Sequence, residues 1–358
     1  MSAPLRAAIV GLTGIGGGRA PAVDGPLRWP RPMSHAGAYV AEPRTELVAV
    51  CDRREDAIAE FREDWPELDR VAAYRDFDEL LDKERPEIVS IATSDHLHAD
   101  LTLAAVDAGV KAILCEKPIA TTLSDADRMI RACADAGVPL SIEYTRRWAP
   151  LFVEAKRILD SGTLGRVRTM AAELHGPRAM LFRNGSHLID LLCWYAGSDP
   201  EWVVAELESG FEGYDSYQGD GGRDPKGDPA AVAMVHFGDD IRATYLSAKS
   251  DSFSSSVTVT CDEGRLILSD SHGRLVRAGE LRGYKVETIE PPEYLAVRQH
   301  AAVAELVDAL EAGDQRQAAV PLSCDGPEAR KTVEIMLGML RSHALGNTRV
   351  NLPLHADE

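Results

Sequence analysis

The sequence predicts an α/β protein, with a doubly wound parallel sheet at the N-terminus and, after it, an α+β domain built on a large, mainly antiparallel open sheet. Three observations carry this. Short β-rich runs alternate with helical patterns up to residue 150, a glycine-rich turn follows the first run, and beyond residue 150 the rhythm changes to consecutive strands. Alternation of strand and helix gives parallel strands with crossover helices, whereas strand after strand gives antiparallel pairing.

In chain order, "LRAAIV", "ELVAVC", "EIVSIA", "KAILC" and "VPLSIE" read as strands of the first part. "LHADLTLAAVDAG" and "LSDADRMIRACADAG" show helical periodicity between them. "APLFVEAKRILDSGTLG", a helix closed by glycine, opens the second part. The strands "VRTMAAEL", "EWVVAELES", "AAVAMVHF", "IRATYLSA", "SSVTVTC" and "GRLILSD" follow, then two helices over "YLAVRQHAAVAELVDALEAG" and "PEARKTVEIMLGMLRSHALG". "GFEGYDSYQGDGGRDPKGDPA" is rich in Gly, Asp and Pro and reads as a long loop between strands; its acidic part either caps a neighbour's site or is plain surface. These signals divide the chain into 1–147 and 148–358. Two cores are expected for 358 residues, since single cores seldom exceed roughly 250–300.

Composition excludes several function classes. With 57 acidic and 39 basic residues the net charge is −18, which repels nucleic acid and anionic membranes. No apolar run approaches the roughly 18 residues of a membrane span. "MSAPLRAAIV" enters a strand at once with no leader ahead of it, and Cys51, Cys115, Cys133, Cys193, Cys261 and Cys324 lack paired spacing. A cytoplasmic protein with reduced thiols, no disulfide and no metal is expected.

The first chemical motif is "AAIVGLTGIGGG", a strand running into a glycine-rich turn. A dinucleotide pyrophosphate needs close backbone approach and a helix N-terminus. Gly11 and Gly16 occupy the first and third positions of G-x-G-x-x-G, Thr13 replaces the middle glycine, and Gly14 and Ile15 complete the turn. The alternative is a flexible turn. "ELVAVCD" tips the balance, because its strand ends in Asp52, where a carboxylate accepts from the adenosine ribose hydroxyls and selects NAD over NADP. The interval from Gly11 to Asp52 exceeds the usual ~20 residues, and the proline-rich "RAPAVDGPLRWPRPM" reads as an insert beside the cofactor. Arg53 and Arg54 are either surface residues or partners for the 2′-phosphate of NADP.

The second motif, "VSIATSDHLHADLTLAAVDAGVKAILCEKPIA", is strand, turn, helix and strand. Ligands of an open parallel sheet bind beyond the carboxyl ends of the strands. This places Thr93, Ser94 and His98 in one such turn, with Glu116 and Lys117 at the next strand end, facing the cofactor crevice. A lysine there is either solvated or functional. His96 and His98 have the spacing of a metal pair but lack further ligands, which leaves helix capping or packing as a second role.

The glycine-rich turn, the strand ending in Asp52, "IATSDHLHADLTLAAVDAG" and above all "EKP" at 116–118 resemble the Gfo/Idh/MocA family, the glucose-fructose oxidoreductase and inositol dehydrogenase group. The resemblance extends through "GTLGRV", "GSHLIDLL" and the closing helices. It implies a Rossmann domain carrying NAD(P), a second domain whose open sheet forms a homodimer or homotetramer, and hydride transfer at a carbon of a sugar, cyclitol or sugar acid. In such enzymes the EKP lysine, here Lys117, lies near the nicotinamide and the reacting oxygen, and the catalytic histidine falls on His187.

Histidine titrates in the range needed to take a hydroxyl proton, and an ammonium stabilises a developing alkoxide. In many members an aspartate one helical turn before the histidine completes the set; here that position is Arg183, beside Asn184. Asp190, three residues after His187, either orients the ring or closes a helix-surface hydrogen bond. Arg178 and Arg183, with Arg146 and Arg147 of "EYTRRWAP", suit an anionic sugar derivative or else pair with nearby acids. Tyr144 and Trp148 either line the sugar or pack. Two other classes stay open: an enzyme that returns its hydride after elimination or glycoside cleavage, and a non-catalytic cofactor-dependent sensor.

Overall fold

A computed structural model describes residues 3–19, 33–217, 219, 224–279, 283–314 and 320–354. The chain forms two compact units. The first holds Met1–Ala120, Asp125–Trp148 and Tyr294–Pro327; the second holds Thr121–Ser124, Ala149–Glu293 and Glu328–Glu358.

Among the described residues the first unit carries a six-stranded, all-parallel sheet. Its strands are β1 (Leu5–Val10), β2 (Thr45–Cys51), β3 (Ala72–Tyr74), β4 (Ile88–Ile91), β5 (Ala112–Cys115) and β6 (Leu140–Ile142), in the order β3-β2-β1-β4-β5-β6. The order reverses between β1 and β4, which makes their carboxyl ends the natural crevice for a ligand. β4 and β5 are buried throughout, the pattern of strands covered on both faces. The helices are α1 (His35–Ala41), α2 (Glu55–Asp64), α3 (Phe77–Glu84), α4 (His98–Asp107) and α5 (Leu123–Ala136).

α1 resumes a helix that begins in the glycine turn. Gly18 N–H donates to Gly14 O, but the next two carbonyls, of Ile15 and Gly16, accept from His35 and Ala36, at 2.9 and 3.0 Å. The helical ladder therefore continues across an excursion of the chain over 19–34. Discounting those 16 residues, the interval from Gly11 to Asp52 shrinks from 41 to 25, near that of an uninterrupted fingerprint. Residues 20–32, most of the expected proline-rich insert, lie outside the described residues. At its near end Arg19 ion-pairs with Glu67 and lies 4.7 Å over the Trp65 ring.

The second unit is built on a nine-stranded mixed sheet. After α6 (Pro150–Asp160) come β7 (Val167–His175), α7 (Ser186–Ala196), β8 (Pro200–Leu207), β9 (Ala231–Phe237), β10 (Ile241–Ala248), β11 (Ser254–Cys261), β12 (Gly264–Ser269), β13 (Gly273–Ala278) and β14 (Tyr284–Thr288). Then follow α8 (Gln299–Asp314), α9 (Gly326–Ala344) and β15 (Val350–Asn351). The order is β14-β13-β12-β11-β7-β10-β9-β8-β15, and among the described residues only β7 and β10 run parallel. α7 packs on β7, β10 and β11. α9 lies against β8, where a Cβ on Gly338 would come 2.8 Å from Val203 Cγ1.

The chain leaves unit 1 briefly at Thr121–Ser124 and again at Ala149, and Tyr294–Pro327 comes back to that unit. There α8 packs on α1 and β5, and Ile142 N–H donates to Cys324 O at the sheet edge. α8 starts at Gln299 rather than at Tyr294, because Arg298 takes a left-handed φ of 56° that a helix cannot extend through. No helix among the described residues is long and apolar enough to cross a membrane, and all six cysteines are buried thiols.

Candidate active site

In the first unit the turn after β1 lies against the end of β4. Gly11 has φ +90°, and a Cβ there would come 2.5 Å from Ala92 O; one on Gly16 would come 1.9 Å from Gly11 O. Neither position accepts a side chain, so backbone alone lines the turn at these two points. Gly14, with φ +59°, is exposed, while Thr13 and Ile15 are partly exposed and form its lip. Thr93 and Ser94, also partly exposed, occupy the turn after β4, next to Ala92.

Asp52 follows β2 and fastens onto this turn. Its Oδ2 accepts from Leu12 N–H and its Oδ1 from Arg54 N–H, both at 2.9 Å. Each oxygen keeps a lone pair for a further donor. Arg54 is ion-paired with Asp56; Arg53 is exposed, and its carbonyl accepts from the Arg75 guanidinium.

Glu116 and Lys117 follow β5, and each is only 7 % exposed. Glu116 Oε1 is 3.2 Å from His35 Nε2, and Oε2 accepts from Lys117 N–H at 3.3 Å. The Lys117–Pro118 peptide bond is cis. Beside Glu116, at the end of β6, Glu143 is fully buried and its two carboxyl oxygens have no hydrogen-bond partner. Burial, with the neighbouring Glu116 charge adding to it, pushes the Glu143 carboxyl well above its ordinary range.

In the second unit, a single turn of π-helix over Leu181–Gly185 leads directly into α7. Gly185 is needed there, because a Cβ would come 2.1 Å from Tyr245 Oη. Asp228 is buried; its carboxylate accepts from Phe182 N–H at 3.1 Å and from Arg183 N–H at 2.9 Å. The Phe182 ring stacks on Tyr217 at 4.0 Å. Both Asp228 and Tyr217 come from the long β8–β9 loop, whose described part thus clamps its own chain; the acidic segment around 220–223 lies outside the described residues. From Ser186 through Cys193 every residue is buried except His187, which is partly exposed. That is the profile of an accessible histidine on a fixed helix. Asp190 is fully buried on the same helix. Arg178 is exposed and Arg183 and Asn184 partly so, with Asn184 Nδ2 donating to Arg178 O at 2.6 Å.

Two family models match the chain. The Gfo/Idh/MocA oxidoreductase family model, an NAD-binding Rossmann fold, covers residues 5–144, and the Gfo/Idh/MocA C-terminal domain covers 152–267. The chain belongs to the Gfo/Idh/MocA family. Among curated relatives of this oxidoreductase, D-apiose dehydrogenase of Paraburkholderia graminis is 36% identical over 132 residues, 37% of this chain and 34% of that protein. Inositol 2-dehydrogenase of Salmonella typhimurium is 30% identical over 172 residues, 44% and 49% of the two chains. The match thus spans half or less of each of these relatives. The aldose-aldose oxidoreductase of Caulobacter crescentus superposes with a TM-score of 0.76 at 20% identity, covering 98% of this chain and all of that one, which shows a shared fold.

Within the Gfo/Idh/MocA chain three of the expected site residues are buried. His98 is fully buried, with Nδ1 2.9 Å from Pro118 O and Nε2 3.4 Å from Thr93 O, so it ties two strand-end turns together. Tyr144 is fully buried. Arg147 is 2 % exposed and donates to Ser323 O at 2.8 Å, on the segment that returns to unit 1. Nothing in the sequence around Arg147 marks that distant partner. Conversely, His35, Ser90, Glu143 and Asp228 were not foreseen. Ser90, the one polar residue of the buried strand β4, was the available signal.

Proposed function

We propose that this oxidoreductase is NAD-dependent and moves a hydride between the nicotinamide and a CH–OH or keto carbon of a sugar, cyclitol or sugar acid. The observation that carries it is the pairing of a glycine turn that admits no side chain with the buried strand end of Glu116 and Lys117. The relatives named above, acting on apiose and inositol, support a polyhydroxylated substrate.

The turn from Gly11 to Gly16 suits a pyrophosphate, and Asp52 suits the ribose hydroxyls. A bound nicotinamide supplies the hydride acceptor in one direction and the donor in the other. Lys117, as an ammonium, holds the substrate oxygen and stabilises the alkoxide as its proton leaves. His187 takes that proton and returns it in reduction. Buried Asp190 supports the helix from which His187 projects. Arg178 and Arg183 suit a carboxylate on the substrate, which makes sugar acids members of the substrate class. The buried thiols agree with a cytoplasmic setting.

The test incubates the purified protein with NAD and a panel of sugars, uronates and cyclitols, following reduced cofactor by absorbance and products by mass spectrometry. NADH formed with an oxidised product is expected; tight NAD binding with neither signal across the panel would overturn the reading. Arg183, at the position of the family aspartate, favours a second reading in which the hydride is returned after elimination or glycoside cleavage, or in which the protein only senses the cofactor. Product without NADH identifies the former.

Asp52→Ser is expected to weaken NAD about tenfold, the loss of ~1.4 kcal/mol from a charged hydrogen bond, and to leave NADP unchanged or tighter. Titrating both cofactors by fluorescence measures this. Assembly is expected through the open sheet, whose central strands expose Val232, Met234 and Leu246, with Val232 and Leu246 directly paired. Light scattering should find a homodimer or homotetramer, and Met234→Glu with Leu246→Glu should yield monomer. A monomeric wild type would sink that expectation.

A further inference from the structure

A line of buried polar groups runs through unit 1 and ends on Glu116; its other members have no part in the chemistry above. Tyr39 Oη is 2.9 Å from Ser90 Oγ, Ser90 Oγ is 2.9 Å from His35 Nδ1, and His35 Nε2 is 3.2 Å from Glu116 Oε1. Exposures are 1 % for Tyr39, 0 % for Ser90 and His35, and 7 % for Glu116. Without such pairing, burying these groups would be costly.

The direction of the line follows from its two ends. As a carboxylate Glu116 can only accept: Oε2 takes Lys117 N–H, and Oε1, 3.2 Å from His35 Nε2, calls for a proton on that nitrogen. His35 then carries its proton on Nε2, and its Nδ1 accepts from Ser90, whose oxygen accepts from Tyr39. Run the other way, the Tyr39 hydroxyl would need an acceptor, and none besides Ser90 is found for it among the described residues.

The main chain of the same histidine closes the glycine turn's helical ladder: His35 N–H donates to Ile15 O at 2.9 Å, one residue before Gly16. Its ring reaches the strand end that carries Lys117. We propose that His35 is a positioning residue that couples the glycine turn to Glu116 and Lys117, so that seating a dinucleotide and orienting the lysine are one event. The coupling rests on the cofactor reading given above. Ser90 and Tyr39 fix the ring by occupying its second nitrogen.

The experiment uses the full chain labelled with nitrogen-15 at histidine, with the His35 signal identified by its loss in His35→Gln. Expected are a neutral ring protonated at Nε2, a shift of both ring signals on adding NAD, and, in Ser90→Ala, about tenfold weaker NAD binding with the ring no longer in a single tautomer. Should Ser90→Ala not fold, Tyr39→Phe, which removes one oxygen, is expected to move the same signals. A ring protonated at Nδ1, or a His35 signal that NAD binding leaves unmoved, overturns the proposal while the cofactor reading stands. Failure of the wild type to bind NAD overturns both, and binding by fluorescence separates the two cases.

Discussion

Replacing Lys117 by alanine is expected to lower turnover about 10²- to 10³-fold, the usual cost of one group aimed at developing negative charge, and to change NAD affinity by less than about threefold. Lysine to arginine does not restore the rate, because a planar guanidinium cannot take the place of a compact ammonium at a site 7 % exposed. His187→Asn fails differently. Turnover is expected to drop by about 10²–10⁴, with the pH dependence near the histidine range lost from what remains. Steady-state kinetics over pH 5 to 9 distinguish the two variants. If both retained full turnover, the residues assigned to the reaction would be the wrong ones; if cofactor binding collapsed in both, they would belong to the cradle instead.

Glu143→Gln produces the second large effect, on stability. Glu143 faces Glu116 and Glu305, with Arg298 as the opposing charge, and its buried carboxyl holds its proton far above the ordinary carboxylate range. The folded protein therefore binds a proton that the unfolded chain has released above about pH 4.5. Stability from this group is complete below the unfolded pKa and falls by up to about 1.4 kcal/mol per pH unit as the pH rises towards the folded value. Glutamine keeps the shape of the protonated acid and has nothing to lose. Denaturation midpoints measured from pH 4.5 to 8 should nearly coincide at the acid end and diverge with rising pH, the variant becoming the more stable. Parallel curves would show Glu143 ionised in the fold.

Much of this architecture was legible from residue order. The apolar runs of β1, β4 and β5 are buried on both faces, and for that reason read as near-continuous hydrophobic stretches. β13 and β14 were not distinguished, since "GRLVRA" and "YKVET" mix charges with apolar residues and β14, at the sheet's edge, leaves Tyr284 and Val286 exposed. α1 escaped because an excursion splits its ladder. Gly11, Asp52, Lys117 and His187 stand in strong local sequence frames, and for that reason were legible as candidates. Those defined by distant partners were not: His35 meets Glu116 across 81 positions and Asp228 meets Phe182 across 46. The same limit explains Arg147, which looks available in "EYTRRWAP" but donates to Ser323 O, 176 positions later.

The helical ladder of the glycine turn steps from Gly18 directly to His35 and Ala36. The two ends of the intervening chain stand one helical step apart, where adjacent residues of an ordinary helix would be, so the fold places no requirement on how much chain lies between them. Lengthening such a closed segment is cheap: each doubling adds only about 0.6 kcal/mol of closure entropy. Natural variation and protein engineering alike can therefore enlarge, shorten or replace the chain that follows Gly18 while the open sheet beneath the glycine turn keeps its register, which makes this a place to write new sequence.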